Sequence, residues 1–205
     1  MFITFEGIDG SGKSSQAKRL AEHMNSRGYD VVLTREPGGS DGAERIRELL
    51  VTGDVGRWSP ETELLLFTAA RRDHLEKTIQ PALDRGSIVV CDRYVDSTRV
   101  YQGATRADLR PHVDALHKAL IEREADLTIL IDLDPTEALQ RGLARESGED
   151  RFEDFGLEFQ KALRNGFHAL AKTAPDRIKL IDGLGDEDTV FARVWHLVSE
   201  MISDG

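Results

Sequence analysis

Residues 7–14 have the sequence GIDGSGKS, which fits the pattern G-x-x-x-x-G-K-[ST] at every fixed position. The apolar run from Phe2 to Phe5 precedes this stretch, and a helical pattern begins directly after it. Small residues in such a turn let successive backbone N–H groups surround phosphate oxygens beside the positive end of the following helix. The alternative is a glycine-rich turn with an incidental lysine. The complete match and its strand–turn–helix setting favour a nucleoside triphosphate site.

Within this site, each residue type has an expected part. Lys13 is predicted to reach the β- and γ-phosphates, and the Ser14 hydroxyl to bind Mg²⁺. The residues expected to hold ATP in the loop and the first turn of the helix are Gly7, Ile8, Asp9, Gly10, Ser11, Gly12, Lys13, Ser14 and Ser15.

The composition indicates a protein whose cations have to be gathered locally. The chain has 205 residues, 40% of them hydrophobic and 31% charged, as expected for one domain with a proper core. Its net charge of −10 argues against a general nucleic-acid or anionic-membrane binder. The lone cysteine, Cys91, excludes an internal disulfide. Without a leader pattern or a membrane-length apolar run, the sequence predicts a cytoplasmic protein.

Five short apolar runs alternate with helical patterns along the whole chain. Strands are predicted at 2–5, 30–34, 87–91, 127–133 and 178–181. A long helical pattern covers 60–85, in one piece or two, with Leu64, Leu65 and Phe67 facing inward. This alternation predicts a parallel α/β sheet with helices on both faces. Ligands of such sheets bind beyond the carboxyl ends of the strands, so the residues that follow each strand are site candidates.

Asp92 and Arg93 directly follow the third strand. Arg93 is suited to clamping a phosphate through its planar fork, with Asp92 orienting it or holding a metal-bound water. The alternative is a surface ion pair, which contributes little to stability. The phosphate loop at the same edge of the sheet favours the functional interpretation.

Phe67 and Arg71 are four residues apart and therefore share one face of the predicted helix. A ring and a guanidinium on one face suit a nucleobase, because the ring can stack and the guanidinium can bind an exocyclic oxygen. The pattern equally allows Phe67 to be a core residue and Arg71 to be solvated.

The segment 141–154 is rich in arginine and acidic residues. Its arginines Arg141, Arg145 and Arg151 suit a lid that closes over the transferring phosphoryl group and excludes water. The alternative is a solvated charged face, because Glu137 and Arg141 have the spacing of a helical ion pair. The six histidines lack zinc-ligand spacing, so a protein-bound zinc site is not expected.

The order of these motifs resembles the thymidylate kinase (dTMP kinase) family of P-loop nucleoside monophosphate kinases. The resemblance rests on the phosphate loop, R-E-P-G-G at 35–39, L-L-F-x-A-A-R at 65–71, D-R-Y at 92–94 with S-T-x-x-Y-Q at 97–102, and the arginine-rich segment. It implies a three-layer P-loop NTPase fold in one domain, 1–205, with a five-stranded parallel sheet and a lid at about 141–154. It also implies transfer of the γ-phosphoryl of ATP to dTMP with Mg²⁺, in a homodimer.

The resemblance also implies residue roles. Phe67 would stack on thymine, Arg71 would bind its O4, and Tyr101 would crowd the 2′ position. Because Gly10 stands where some members carry arginine, lid arginines are expected to act at the transition state, and Arg141 against adenine. The implied catalytic residues are Asp9, Lys13, Arg93, Arg145 and Arg151. The implied dTMP ligands are Asp9, Glu36, Arg47, Phe67, Arg71, Asp92, Arg93, Ser97, Thr98, Tyr101 and Gln102, and the implied metal ligands are Ser14 and, through water, Asp92.

The acceptor implied by the resemblance needs no general base. A phosphate monoester has a second pKa of about 6 and is largely ionised at neutral pH, so catalysis reduces to alignment and charge compensation. A deoxynucleoside kinase, the enzymatic alternative, would use a residue such as Glu6 as base toward a 5′-hydroxyl. An ATP-binding regulatory module, the non-catalytic alternative, would leave Arg93 and Phe67 without a role.

Overall fold

The computed structural model describes residues 1–53, 56–104, 108–143 and 156–203. Its centre is a five-stranded sheet in the order β2-β3-β1-β4-β5, and every neighbouring pair of strands is parallel. The strands are β1 (Phe2–Glu6), β2 (Val31–Arg35), β3 (Ile88–Asp92), β4 (Leu127–Asp132) and β5 (Ile178–Asp182). All five predicted strands are confirmed, with each end within one residue of its predicted place.

Helices connect the strands and cover the sheet. They are α1 (Lys13–Ser26), α2 (Asp41–Val51), α3 (Pro60–His74), α4 (Gln80–Asp84), α5 (Val95–Ala104), α6 (Arg110–Leu120), α7 (Pro135–Leu143), α8 (Gly156–Thr173) and α9 (Glu187–Ser203). A π-helical turn, Leu75–Ile79, joins α3 to α4, so the predicted helix over 60–85 is continuous but locally widened. Within the described ranges, none of these helices has the length and apolar character needed to cross a membrane.

The two faces of the sheet bury different helices because side chains alternate along a strand. Phe2 of β1 packs with Leu64 and Leu75 on the α3 side, together with Tyr94. Its neighbour Ile3 points the other way and packs against residues of α1 and α9. A third cluster joins α5, α7 and α8 to β4. The predicted parallel sheet with helices on both faces is therefore confirmed.

One predicted core position on α3 is wrong. Leu65 is 57% exposed, whereas Leu64 is buried in the core. The inward stripe of α3 runs through Leu64, Thr68 and Arg71, which are spaced by four and three residues. Leu65 lies about 100° around the helix from Leu64 and therefore faces away from the sheet.

Candidate active site

The phosphate loop connects β1 to α1 and depends on backbone shapes that glycine adopts easily. Gly7, Gly10 and Gly12 all have positive φ, at 144°, 80° and 92°. Gly12 is the N-cap of α1, and no side chain caps that end of the helix. The first backbone N–H groups of α1 are therefore not used by a capping side chain, which is the arrangement that binds a phosphate at a helix N-terminus.

The loop lies directly against α7. A Cβ placed on Gly10 would lie 2.0 Å from the carbonyl oxygen of Ala138, and a Cβ on Gly7 would lie 2.6 Å from that of Ile131. Both distances are far below any van der Waals contact. With α7 in this position, residue 10 has to be glycine, and a side chain such as arginine does not fit there.

Asp9 is the centre of a partly buried polar cluster beside this loop. Its carboxylate accepts a hydrogen bond from Lys13 Nζ at 3.3 Å and another from the Tyr101 hydroxyl at 2.9 Å. It also pairs with Arg93 Nη2. The structure thus brings together four predicted site residues from three segments of the chain, and two of them are cations.

The charges around Asp9 decide its ionisation. Burial alone would raise the pKa of Asp9, but Arg93 and Lys13 outweigh it and hold that pKa well below its usual range. Asp9 is therefore ionised at neutral pH, and its negative charge keeps two cations close together without a ligand.

Arg93 reaches this cluster through an unusual backbone shape. Its φ is +67°, in the left-handed region that non-glycine residues rarely adopt. Its Nη1 donates to the Gly7 carbonyl at 3.1 Å and to Ser97 Oγ at 2.8 Å. Among the described residues, Asp92 makes no hydrogen bond to Arg93, so Asp9 rather than Asp92 orients this guanidinium.

Glu6, at the end of β1, anchors the N-terminus of α5. Its Oε1 accepts from the backbone N–H groups of Tyr94 and Ser97 at 2.8 and 3.1 Å, and its Oε2 accepts from Ser97 Oγ at 2.6 Å. Burial, with a smaller contribution from the nearby Asp96, raises its pKa to about 7. Glu6 therefore acts as a helix cap from a neighbouring strand, and both of its oxygens are engaged.

A second polar cluster lies further along the same edge of the sheet. Arg71 Nε donates to Glu36 Oε2 at 2.7 Å, and Arg71 Nη2 donates to Thr98 Oγ1 at 2.9 Å. Arg71 is only 4% exposed. The interpretation of Arg71 as a solvated residue is therefore wrong. Phe67, one turn earlier on α3, is half-buried.

Gln102 on α5 carries a buried side-chain amide that suits a polar ligand. It is 1% exposed, and both its side-chain oxygen and its side-chain nitrogen lack a hydrogen-bond partner within the described part of the chain. A buried amide left without partners costs free energy. A ligand with donor and acceptor groups would satisfy it.

The loop 35–39, after β2, is held in shape by α2. Glu44 Oε1 accepts from the Gly39 N–H at 2.9 Å, and Arg47 Nη1 donates to the Pro37 carbonyl at 2.6 Å. Arg47, which is predicted to bind dTMP, therefore stabilises the loop 35–39 through this hydrogen bond.

Arg141 lies on α7 and turns toward the loop after β5. Its guanidinium donates to the carbonyls of Gly183 and Gly185 at 3.3 and 3.4 Å. The alternative ion pair with Glu137 is not observed between these two described residues. The predicted lid residues Arg145 and Arg151 lie outside the described residues.

Two residues proposed for metal binding have oxygen atoms that suit a hard cation. Ser14 is exposed on the first turn of α1, and Asp92 has a buried Oδ1 without a hydrogen-bond partner among the described residues. No group of three or more metal-ligating side chains occurs in the described ranges. Mg²⁺ commonly takes only one or two carboxylates and relies on substrate phosphates, so these residues fit it.

Two residues near this site are not among the sequence predictions. His74 contacts Glu36 behind Arg71, and Thr34 contacts His74. A helical signal for His74 was present, because it follows Phe67 by seven residues and Arg71 by three. No sequence signal links Thr34 to α3.

Comparison with known proteins gives a consistent result. The family model described as thymidylate kinase matches residues 5–194. The thymidylate kinase of Dinoroseobacter shibae is 68% identical over 192 residues, which cover 94% of this chain and 93% of that one. The thymidylate kinase of Jannaschia sp. is 59% identical over 100% of this chain and 98% of its own. The crystal structure of thymidylate kinase from Ehrlichia chaffeensis superposes with a TM-score of 0.78 at 37% identity, covering 97% and 98% of the two chains.

Proposed function

This chain belongs to the thymidylate kinase family, and on that premise we propose how its own residues divide the work of phosphoryl transfer. The chain is a phosphotransferase that uses ATP to phosphorylate dTMP, giving dTDP and ADP for dTTP synthesis. The proposal extends to the residues that bind each nucleotide, to Mg²⁺ as the cofactor, and to one kinase domain formed by residues 1–205.

The observation that carries the proposal is the pair of cations held by one carboxylate. Lys13 and Arg93 both bind Asp9, and the loop and the helix end that receive phosphates lie beside them. Lys13 serves the donor phosphates and Arg93 serves the phosphate of dTMP. A donor and an acceptor held side by side turn a bimolecular reaction into an effectively intramolecular one.

Charge compensation explains why two cations are needed. Both reacting groups are anionic, and the whole protein carries a net charge of −10. Lys13 and Arg93 gather positive charge where the phosphoryl group moves. Because both side chains are shielded from solvent, their attraction to the phosphates is strengthened. Arg145 and Arg151 remain our candidates for closing over the same position, with Arg141 against adenine.

The second polar cluster is suited to the thymine base. Phe67 provides a ring face for stacking, and Arg71 on the same helix face provides hydrogen-bond donors for O4. On α5, the Gln102 amide has no partner among the described residues, and we assign it to the base together with Ser97 and Thr98. Tyr101 is held against Asp9 and Arg93, which suits a residue that restricts the sugar.

We propose that Ser14 and Asp92 hold Mg²⁺, Asp92 through water. The support is the buried Oδ1 of Asp92, which has no hydrogen-bond partner in the described ranges, and the exposed hydroxyl of Ser14 at the start of α1. An Mg²⁺ ion held by these residues would offset the negative charge of the donor phosphates.

No general base is assigned in this proposal, because the acceptor is a phosphate. In the nucleoside-kinase alternative, Glu6 would have to take a proton from a 5′-hydroxyl. Instead, Glu6 is fully buried, and its two oxygens accept from the Tyr94 and Ser97 backbone and from the Ser97 hydroxyl. An already ionised phosphate monoester can attack without losing a proton at the transition state.

We propose a homodimer that forms through α2, α3 and α6. An exposed leucine lies on each of these helices: Leu49 on α2, Leu65 on α3 and Leu120 at the end of α6. Because α3 packs against both α2 and α6, these leucines belong to neighbouring surfaces. Exposed large apolar side chains on neighbouring helices are typical of an interface.

We also propose a cytoplasmic location, which the buried free thiol of Cys91 supports.

The test of this function is an ADP-release assay with ATP, Mg²⁺ and a panel of acceptors: dTMP, dUMP, UMP, dCMP, dGMP and AMP. We expect the highest kcat/KM with dTMP. Highest turnover with a purine monophosphate would contradict the assignment of Phe67 and Arg71 to thymine.

A further inference from the structure

Four side chains behind the proposed thymine pocket form one continuous hydrogen-bonded chain. Thr34 Oγ1 lies 2.7 Å from His74 Nε2, and His74 Nδ1 lies 3.1 Å from Glu36 Oε1. The other oxygen of Glu36 accepts from Arg71 Nε at 2.7 Å. His74 is fully buried, and Glu36 and Arg71 are nearly so. We call Thr34, His74, Glu36 and Arg71 the relay.

The chemistry of the end groups sets the direction of these bonds. A carboxylate paired with a guanidinium only accepts hydrogen bonds, so His74 Nδ1 carries the proton and donates it to Glu36. The remaining ring nitrogen, Nε2, shares a hydrogen bond with the Thr34 hydroxyl, which can serve as donor or acceptor. His74 thus joins Thr34 to Glu36 through its two ring nitrogens.

The contacts of Arg71 fix the direction in which its guanidinium can donate a hydrogen bond to a ligand. Glu36 occupies Nε, Thr98 occupies Nη2, and the ring of Tyr94 lies 5.2 Å from the guanidinium carbon. Within the described part of the chain, Nη1 has no hydrogen-bond partner. The planar guanidinium therefore cannot turn without breaking a buried charge-assisted bond.

We propose that His74 is a positioning residue that sets the base selectivity of the acceptor site by fixing Arg71 through Glu36. This rests on the proposed function, in which Arg71 binds the base. A fixed donor at Nη1 favours a base that presents an oxo group there, as dTMP and dUMP do. It disfavours dCMP, whose amino group would place donors against donors and leave them unpaired.

The fit of the histidine ring gives a second reason to assign it this part. A Cβ on Gly39 would lie 2.3 Å from His74 Nε2 and 2.5 Å from Thr34 Oγ1. The last glycine of the loop 35–39 therefore leaves the space in which these two atoms meet. Among the described residues, His74 hydrogen-bonds only Thr34 and Glu36, neither of which is assigned to ATP, so selectivity for the base is the property it can influence.

Three variants test the relay. His74→Leu keeps a similar volume but removes both hydrogen bonds, and Thr34→Val removes only the outer one. His74→Asn is the rescue variant, because its amide nitrogen can still donate to Glu36. Thr68→Val is the matched control, since it removes a buried hydroxyl from α3 that donates to the Leu64 carbonyl within the described part of the chain. Thermal unfolding by circular dichroism checks that each variant folds.

The measurement is the dissociation constant for dTMP, dUMP, dCMP and ATP in each protein, with dCMP taken to its solubility limit. In His74→Leu we expect dTMP and dUMP to weaken together by about tenfold, while ATP stays within about twofold. Binding of dCMP should be unchanged or tighter, because Arg71 can now move away. Thr34→Val should lower the ratio of dTMP affinity to dCMP affinity by about threefold. His74→Asn should restore most of the wild-type ratio, and Thr68→Val should leave the ratio unchanged.

Several outcomes overturn the proposal. One is unchanged dTMP affinity in a folded His74→Leu and in Thr34→Val. Another is an equal loss for dTMP and dCMP, which a merely structural role predicts; loss in the variant of dCMP binding that the wild type shows counts the same way. These results would leave the proposed function intact if the wild type phosphorylates dTMP. A wild type that does not bind dTMP would overturn both.

Discussion

The α-carbon of Gly10 lies so close to the carbonyl oxygen of Ala138 that an added Cβ would be 2.0 Å from it. The phosphate loop and α7 are therefore in direct backbone contact, and α7 leads into the segment that carries the proposed lid arginines. The two parts of the site that handle ATP cannot be changed independently.

Gly10→Ala should damage ATP binding beyond the cost of backbone strain. We expect kcat/KM for ATP to fall at least about tenfold, because the new methyl group must displace the loop or α7. Gly28→Ala is the matched control, since Gly28 also has a positive φ of 90° but has open space around it. That control should cost about 1–2 kcal/mol of stability and leave kcat/KM unchanged. Equal activity of the two variants would mean that the contact with Ala138 has no functional effect.

Phe67→Ala should weaken dTMP binding more than ATP binding. Stacking of a base on an aromatic ring contributes about 1–3 kcal/mol, so we expect a loss of at least about fivefold for dTMP and little change for ATP in isothermal titration. Phe191→Ala, which removes a half-buried ring of α9, controls for a general loss of packing. Equal losses for the two nucleotides in Phe67→Ala would show that Phe67 is a core residue only.

Glu6→Gln should remove a pH dependence of stability. The pKa of Glu6 is raised from 4.5 to about 7 in the folded protein. A raised pKa means that the folded state binds this proton more tightly, so its stabilisation is present at low pH and is lost as the pH rises through 7. From pH 5 to pH 8, the free energy of unfolding of the wild type should fall relative to Glu6→Gln by roughly 2–3 kcal/mol. Parallel pH profiles in urea unfolding would contradict the burial argument.

Leu65→Lys should produce a monomer. The leucine is 57% exposed on α3, and a charge in an apolar interface is strongly unfavourable. Leu184→Lys is the control, because Leu184 is equally exposed but follows β5 at another part of the surface. Sedimentation velocity should show a dimer for the wild type and the control. A dimer in Leu65→Lys would place the interface elsewhere.

The centre of the sheet could be predicted closely because β1, β3 and β4 are buried along most of their length. A run such as 127–132, with five of its six residues buried, has no polar alternation to confuse it with a surface strand or a helix. Helix faces were less certain, as Leu65 shows. Next to Leu64 in the chain, it nevertheless faces solvent, and composition alone does not distinguish the two.

Contacts between distant segments were the part that sequence could not supply. Asp92 is the neighbour of Arg93 in the chain, yet Arg93 pairs with Asp9, because its left-handed backbone turns the guanidinium toward the phosphate loop. Glu36 and His74 are 38 residues apart, and only the packing of α3 beside β2 brings them together. The motifs in the sequence were enough to select Asp9, Arg71 and Arg93 as site residues. The residues that they contact could be identified only from the folded structure.

The most direct test of the account is to identify the product formed from each of two acceptors. The chain is incubated with ATP and Mg²⁺ and either dTMP or thymidine, and the nucleotides are separated by chromatography. Lys13→Ala serves as a control for a contaminating kinase. We predict equal amounts of dTDP and ADP from dTMP, no product from thymidine, and no dTDP with Lys13→Ala. Conversion of thymidine to dTMP, with dTMP itself left unreacted, would contradict the account and make Glu6 a catalytic base.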